Sequence, residues 1–313
     1  MAEWLYEAGI GENRAALVED DAVVEAAIEL PGDVRLGTVV RARLAEIGPG
    51  RHARIVLDDG TDAHLDPLPP GLTQGTALTV RIVREAIPEP GRPKPPRAVV
   101  TDADPAPGPT LRDRIAEAGH PVRSLLPHQP DALEAAGWSE LLDEATTGEI
   151  AFPGGSLRMS PTPAMTLFDI DGVPPLAPLA LAGARAVAAA IRRFGLGGSI
   201  GIDFPTLSGK AERQALASAI DAALPPPFER TTVNGFGFLQ IVRPRPRASL
   251  PELLRADPVG ARARAALRML ERTPPTASRR HRLPAPVLAR IEAEGWDAEL
   301  VRRTGVAPIW DRP

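Results

Sequence analysis

The chain has 313 residues, a formal net charge of −4 and no cysteine. Without cysteine it can form neither disulfides nor cysteine-based zinc sites, so we expect a protein of the reducing cytoplasm. The N-terminal segment lacks the basic start and apolar stretch of a signal peptide, and no run of about 18 apolar residues could span a bilayer.

A net negative charge argues against nucleic-acid binding, but the type and distribution of the basic residues say more about binding than the net charge does. Lys94 and Lys210 are the only lysines, so every other basic side chain is arginine or histidine. Arginine binds phosphate as a planar fork, and arginines are frequent over residues 243–282. Two interpretations of this run stay open: a track along an RNA backbone, or the charged outer faces of amphipathic helices.

The first predicted element is a β-hairpin over residues 12–30, in which two apolar-rich runs flank an acidic turn at 19–21. An isolated hairpin is not stable in water. We therefore expect it to join the sheet of the α/β domain further along the chain, which would make the segment between them an insertion.

That segment, residues 34–102, contains five short alternating runs separated by Gly- and Pro-rich turns. Short strands at a spacing of about ten residues predict a small barrel, of which the OB-type is the common oligonucleotide-binding form. Its candidate RNA contacts are Arg41, Arg43, Arg54 and His64, for which a solvated face is an equal alternative. No aromatic side chain lies between Tyr6 and Trp138, so this barrel lacks the usual base-stacking residues.

Beyond a linker at 103–110, helical and strand patterns mix. Helices are predicted at 111–120, 131–145 and 179–193, strands within 150–172, at 197–204 and at 235–245, and a further helix after Ser208 as its N-cap. From Leu250 onward the pattern is helical. The predicted domains are therefore an α/β domain formed by 1–33 and 104–249, a barrel at 34–103, and a helical arginine-rich region at 250–313.

Two predicted strands of the α/β domain end in aspartate, at Asp169 and Asp203, with a helix between them. A βαβ unit of this kind gives parallel strands whose carboxyl ends share one edge, where ligands gather. Neighbouring carboxylates repel unless a cation lies between them, and Mg²⁺ or Mn²⁺ prefers oxygen ligands. The pattern alone leaves a second interpretation open, in which each aspartate caps a turn, as Asp171-Gly172 suggests.

Three segments of the chain resemble the ribonuclease E/G family. The first segment, FPGGSLRMSPTPAMTLFDIDG, is similar to the family's Gly-Gly strand and the following strand that ends in Asp-x-Asn. The second, RAVAAAIRRFGLGGSIGIDF, is similar to the family's helix, its Gly-Gly pair and its Ile-Asp-Phe strand. The third, NGFGFLQIVRPRPRASL, is similar to the family's Phe-Gly-Leu strand with its spaced arginines. The resemblance covers about residues 12–102 and 149–250.

The resemblance implies an α+β protein with an RNase H-like catalytic domain and an inserted OB-type barrel. It implies Mg²⁺-dependent hydrolysis of single-stranded RNA, leaving 5′-phosphate and 3′-hydroxyl ends. Asp169 and Asp203 would hold the ion and Asp171 would stand where the family has Asn. The predicted RNA contacts in the third segment are Arg243, Arg245 and Arg247.

Other departures from the family carry expectations of their own. The family's cysteine zinc link between subunits cannot form, so any homodimer must form otherwise, and the shortened segment 104–149 predicts no sensing of RNA 5′ ends. Lys210 could bind a phosphate, although a lysine at such a position more commonly lies on a solvated helix face. Phe236 and Phe238 are expected in the core, with base stacking as the alternative.

Three functions therefore remain in competition: an endoribonuclease, a catalytically inactive RNA-binding or ribosome-associated protein of the same fold, and a metal-dependent phosphohydrolase of small substrates. The aspartate pair favours the first, the acidic net charge and aromatic-poor barrel favour the second, and the barrel argues against the third.

Overall fold

A computed structural model describes residues 1–89, 91, 93–274 and 276–311, with Arg51 described by its backbone alone. In chain order the strands are β1 (Glu3–Ala8), β2 (Asn13–Glu19), β3 (Ala22–Glu29), β4 (Val39–Ile47), β5 (Ala53–Leu57), β6 (Asp62–Leu65), β7 (Ala77–Arg84), β8 (Arg97–Val100), β9 (Val122–Ser124), β10 (Glu149–Phe152), β11 (Gly155–Pro161), β12 (Thr166–Gly172), β13 (Gly198–Asp203), β14 (Glu229–Arg230), β15 (Phe238–Arg243), β16 (Arg280–His281) and β17 (Ile309–Trp310). The helices are α1 (Leu111–Glu117), α2 (Ala132–Ala135), α3 (Trp138–Thr147), α4 (Leu176–Arg193), α5 (Lys210–Ala223), α6 (Leu250–Ala256), α7 (Pro258–Glu271), α8 (Ala285–Ala293) and α9 (Trp296–Thr304).

The chain is of mixed α+β class and forms two compact units. The first unit comprises residues 1–32, 111–139 and the described chain from 253 onward. The second comprises residues 33–110 and 140–252. These units divide the chain differently from the predicted domains, because residues 1–32 and 111–139 group with the C-terminal helices.

The first unit contains the predicted hairpin, formed by β2 and β3. Asp20 and Asp21 both have positive φ, 49° and 62°, as a two-residue hairpin turn of type I′ requires. The expectation that this hairpin joins the aspartate-bearing sheet is wrong. It lies in a separate four-stranded sheet of order β3-β2-β1-β9, because β1 and β9, which the sequence pattern did not reveal, supply its missing partners.

A buried network of ion pairs ties β1 and β2 to α7 in this unit. Glu7, 3% exposed, accepts hydrogen bonds from Arg14, Arg268 and Arg272. Glu12 accepts from Arg14 at 2.9 Å, and from Arg264 at the same distance. For Arg264 and Arg268 both sequence interpretations are wrong, because their side chains are neither an RNA track nor a solvated face but part of the interior.

The second unit contains the predicted barrel. Strands β4, β5, β6, β8 and β7 close in that order, which confirms five strands and a closed barrel. Alternate residues such as Leu44, Ile55 and Ile82 fill its interior, as the period-two pattern requires. Basic side chains at the alternate positions consequently point outward.

The same unit contains a six-stranded sheet of order β10-β11-β12-β13-β15-β14, in which only β12 and β13 run parallel. One face is buried under α4, where Gly183 approaches Ile170 so closely that a Cβ would come within 2.8 Å of its side chain. Phe168, Ile200 and Leu239 also belong to this buried side. The opposite face carries the predicted site.

Two helix starts differ from expectation. α4 begins at Leu176 instead of Leu179, directly after Pro175, whose fixed φ suits a helix entry. α5 begins at Lys210 with Gly209 as its N-cap, not Ser208, because the Glu212 carboxylate accepts a hydrogen bond from the Gly209 amide at 3.2 Å. None of the described helices combines the length and apolar character needed to cross a bilayer.

We predict that Glu7→Gln lowers the free energy of unfolding by about 3 kcal/mol, because it removes the buried carboxylate shared by three arginines. Among the described ion pairs, Arg14 then keeps only Glu12, and Arg268 and Arg272 keep only partly exposed acidic partners such as Asp131. Urea denaturation followed by circular dichroism measures the change. Glu3→Gln is the matched control on the same strand, since the exposed Glu3–Arg123 pair should contribute less than about 1 kcal/mol. Equal stability of the Glu7→Gln variant and the wild type would show that the network is not part of the stable core.

Candidate active site

Five strands of the six-stranded sheet place one residue each in a single row across its exposed face. In register, the row runs Glu149 on β10, Arg158 on β11, Asp169 on β12, Asp203 on β13 and Phe238 on β15. Because side chains alternate between faces, all five project from the side opposite α4. From β10 to β15 the row therefore has one acidic, one basic, two acidic and one aromatic position side by side.

The two predicted metal-binding aspartates are directly opposite one another at the centre of the row. Asp169 and Asp203 are partners in the parallel pairing of β12 with β13, and neighbouring strands lie about 4.8 Å apart. Asp171, two residues further along β12, projects from the same face. The structure thus brings together the three carboxylates that the sequence singled out.

Electrostatics around Asp169 indicate a site with an excess of negative charge. Partial desolvation raises the pKa of the Asp169 carboxyl above its ordinary value, and the charges of Asp171 and Asp203 raise it further. The Ile170 amide and the Arg158 charge act in the opposite direction without cancelling the effect. A cation bound between these carboxylates would relieve the repulsion.

Arg158 is a candidate residue that the sequence interpretation missed. Its guanidinium bonds Glu149 at 3.0 Å, and both side chains are exposed, by 62% and 57%. An exposed pair of this kind contributes less than about 1 kcal/mol, so the arginine can change partners at little cost. The alternation in SLRMS did place Arg158 opposite the buried Leu157 and Met159, but only the strand register shows that it neighbours Asp169.

The aromatic end of the row contains Phe238, whose ring lies over Gly201. A Cβ at Gly201 would come within 2.6 Å of that ring and 2.7 Å of Leu167, so glycine is what allows the ring to settle on the sheet. Phe238 is half-buried, and Phe236 is 85% exposed. The expectation that Phe236 belongs to the core is therefore wrong, because it lies in the turn before β15 instead of on the strand.

The three predicted RNA-binding arginines at the end of β15 and after it contact groups of the same unit. Arg245 bonds Glu89 at 2.7 Å and also pairs with Glu252, while Arg247 lies 3.8 Å from Glu85. Arg243 donates to a backbone carbonyl. These contacts attach the segment after β15 to the segment after β7, and a role of the three arginines in RNA binding stays a prediction.

The remaining predicted RNA contacts are exposed and scattered over several elements. Lys210 is the first residue of α5, and Arg41 and Arg43 lie on the outer side of β4. Arg54 bonds Asp62 at 2.8 Å, which offsets its charge, and faces His64 across the β5–β6 pair. Their part in RNA binding likewise stays a prediction.

The donor set at the row suits a hard divalent ion with few protein ligands. Within the part of the chain that the structure describes, no group of three or more His, Asp and Glu side chains is arranged to enclose a metal ion. Mg²⁺, however, is commonly held by one or two carboxylates and keeps several waters. Asp169 and Asp203 are two carboxylates that could serve in this way.

Comparison with known proteins adds no assignment: no family model matches the chain, and no curated protein is significantly similar to it in sequence. The chemistry of the site must therefore be argued from its own residues.

We predict that Asp203→Asn lowers the pKa of Asp169 in metal-free protein, because it removes one of the like charges that raise it. A raised pKa means that the native state holds the proton more tightly than the unfolded chain, so this group's contribution to stability falls as pH rises through the Asp169 pKa. The variant should therefore gain stability at neutral pH, by less than about 1 kcal/mol at so exposed a site.

Carboxyl NMR titration and urea denaturation measure the two effects of Asp203→Asn. Asp221→Asn is the control of opposite sign, because Arg230 holds the pKa of Asp221 below its ordinary value and the pair is lost in the variant. An unchanged Asp169 titration in Asp203→Asn would contradict close proximity of the two carboxylates.

Proposed function

We propose that this chain is a divalent-metal-dependent endoribonuclease of the ribonuclease E/G type, acting on single-stranded RNA. The proposal includes the finer fold assignment, an RNase H-like domain for the six-stranded sheet and an OB-type domain for the barrel. The observation that carries it is the in-register pair Asp169–Asp203 on adjacent parallel strands, with Asp171 on the same face. The motif resemblance supplies the substrate class.

The proposed metal site consists of the Asp169 and Asp203 carboxylates, with Asp171 on the same face as an orienting group. A bound Mg²⁺ would supply an acidified water as nucleophile and stabilise charge on the phosphodiester. Since the pKa of Asp169 is raised, proton and cation compete for the same carboxylate, and affinity for the ion should increase with pH.

Arg158 is the proposed phosphate-orienting residue. Its position beside Asp169 allows the planar guanidinium to donate to phosphate oxygens after leaving Glu149. It also brings a positive charge next to two negative ones, which helps an anionic substrate to approach the carboxylates. The row carries three carboxylates, Glu149, Asp169 and Asp203, and one guanidinium, so its formal charge is −2, which a single divalent cation would neutralise.

A second candidate function is an RNA-binding protein without catalytic activity. It is favoured by the cations already engaged in ion pairs: Arg54 with Asp62, and Arg245 with Glu89 and Glu252. The two functions differ in one measurable respect, since only the first requires the aspartate pair for RNA cleavage.

We predict that purified protein cleaves a labelled single-stranded RNA with Mg²⁺ or Mn²⁺ but not with EDTA. Asp169→Asn and Asp203→Asn should each lower the rate by about a hundredfold or more, the scale on which loss of one group that stabilises the transition state acts. Denaturing gel electrophoresis of the products measures the rates, and Asp221→Asn should cleave like the wild type. If all variants cleave equally, or no protein cleaves with either metal, the catalytic proposal fails.

For Arg158 we predict that Arg158→Ala weakens cleavage about tenfold, mainly through a higher KM, because a charge-assisted bond to phosphate is lost. Glu149→Gln is the matched control, since it frees Arg158 from its partner and should leave the rate unchanged or higher. Steady-state kinetics of both variants provide the test. A loss of activity in Glu149→Gln equal to that in Arg158→Ala would mean that the ion pair itself is what matters.

A further inference from the structure

Phe236 is a solvent-exposed aromatic side chain near the proposed active site, where an RNA-binding protein would need an aromatic ring. It is 85% exposed, and it lies in the turn that immediately precedes β15. Single exposed apolar residues are common on protein surfaces and need no explanation by themselves. This one differs because of how its backbone is fixed and where it lies.

The turn that carries Phe236 is rigidly built. The Asn234 side-chain oxygen accepts hydrogen bonds from the amides of Phe236 at 2.9 Å and Phe238 at 3.0 Å. Gly237 has a φ of 93°, and a Cβ there would come within 2.4 Å of the Phe204 carbonyl oxygen. The backbone on both sides of Phe236 is therefore fixed while its ring remains in solvent.

The turn is also joined to the segment that follows Asp203. The Phe204 amide donates to the Gly237 carbonyl at 3.1 Å, and the Thr206 hydroxyl lies 3.5 Å from the Phe236 carbonyl. Because β15 runs antiparallel to β13, residues before Phe238 lie beyond the carboxyl end of β13. Phe236 is thus presented at the same sheet edge as the carboxylates.

A single-stranded RNA exposes the faces of its bases, and proteins that bind it usually supply aromatic rings for stacking. The barrel cannot do so, because no Phe, Tyr or Trp lies between Tyr6 and Trp138. At the carboxylate row, Arg158 offers a contact for phosphate and Phe236 an exposed ring. Among the described contacts at this edge, none buries the Phe236 ring or explains why an aromatic side chain is exposed there.

We propose that Phe236 is a nucleobase-stacking residue that seats a base of single-stranded RNA beside the Asp169–Asp203 pair. The inference rests on the proposed RNA substrate, but not on catalysis. It assigns base contact to the catalytic sheet and leaves the barrel to contact the backbone. Phe236 would accept any base, since every base offers a π-face to an aromatic ring.

The test measures binding without cleavage, using the full chain with Asp169→Asn and Asp203→Asn, in EDTA, and a fluorescein-labelled single-stranded RNA about ten nucleotides long. Adding Phe236→Ala should weaken binding by between about five- and a hundredfold, as loss of one stacked base does. Phe236→Trp, made in place of Phe236→Ala, should keep the affinity of the parent protein, and the RNA should quench the fluorescence of the added indole. Fluorescence anisotropy measures the affinities.

Two controls separate stacking from other effects. Val242→Ala truncates another exposed apolar side chain on the outer face of β15, 49% exposed, and should bind RNA unchanged. An abasic ribose-phosphate oligomer of the same length should bind equally to the parent protein and to its Phe236→Ala variant, since it has no base to stack.

The outcomes distinguish this inference from the proposed function. Equal RNA binding with and without Phe236→Ala, or an equal loss on the abasic oligomer, overturns the stacking role even if the wild type cleaves RNA. Base-dependent binding through Phe236 in a protein that never cleaves supports the stacking role and refutes the nuclease. Absence of any RNA binding by the parent protein overturns the stacking role, while cleavage by the wild type with Mg²⁺ or Mn²⁺ decides the nuclease separately.

Discussion

Parallel pairing of β12 with β13 is the constraint on which the candidate site depends. It places Asp169 opposite Asp203 at the last paired position of the two strands, and antiparallel neighbours on either side then bring Arg158 and Phe238 into the same row. A shift of one residue in this register would turn an aspartate toward the face covered by α4. The buried residues that hold the register, among them Phe168 and Ile202, thereby also determine the chemistry of the exposed face.

The two units differ in how their carboxylates are surrounded by other charges. In the first, Glu7 and Glu12 meet arginines in the interior, where each carboxylate is matched by more than one guanidinium. In the second, partial desolvation raises the pKa of Asp169, and the like charges of Asp171 and Asp203 raise it further. Interior charges without partners would unfold the protein, whereas repulsion at an exposed edge can be tolerated and used to attract a cation.

This division explains why composition alone was a poor guide to function. Several arginines of the run over residues 243–282 are buried in ion pairs, as Arg264 and Arg268 are, and so do not indicate an RNA-binding surface. The features that support the proposed endoribonuclease are fewer and local: two opposed carboxylates, one adjacent exposed arginine and one exposed ring on a fixed turn. Each can be altered separately without disturbing a buried side chain, which makes the proposal open to direct test.

Local signals such as alternation, turn residues and apolar runs were enough to predict the five barrel strands, the β2–β3 hairpin and the two strands that carry Asp169 and Asp203. They did not predict that β12 continues past Asp169 to Gly172, whereas β13 does end at Asp203. The pairing of the hairpin with β1 and β9, the position of Arg158 beside Asp169 and the exposure of Phe236 became known from the folded structure. These outcomes depend on strand register and on partners distant in the chain. Period-two alternation assigns a residue to a face but not to a neighbour, so such contacts cannot be inferred from local pattern.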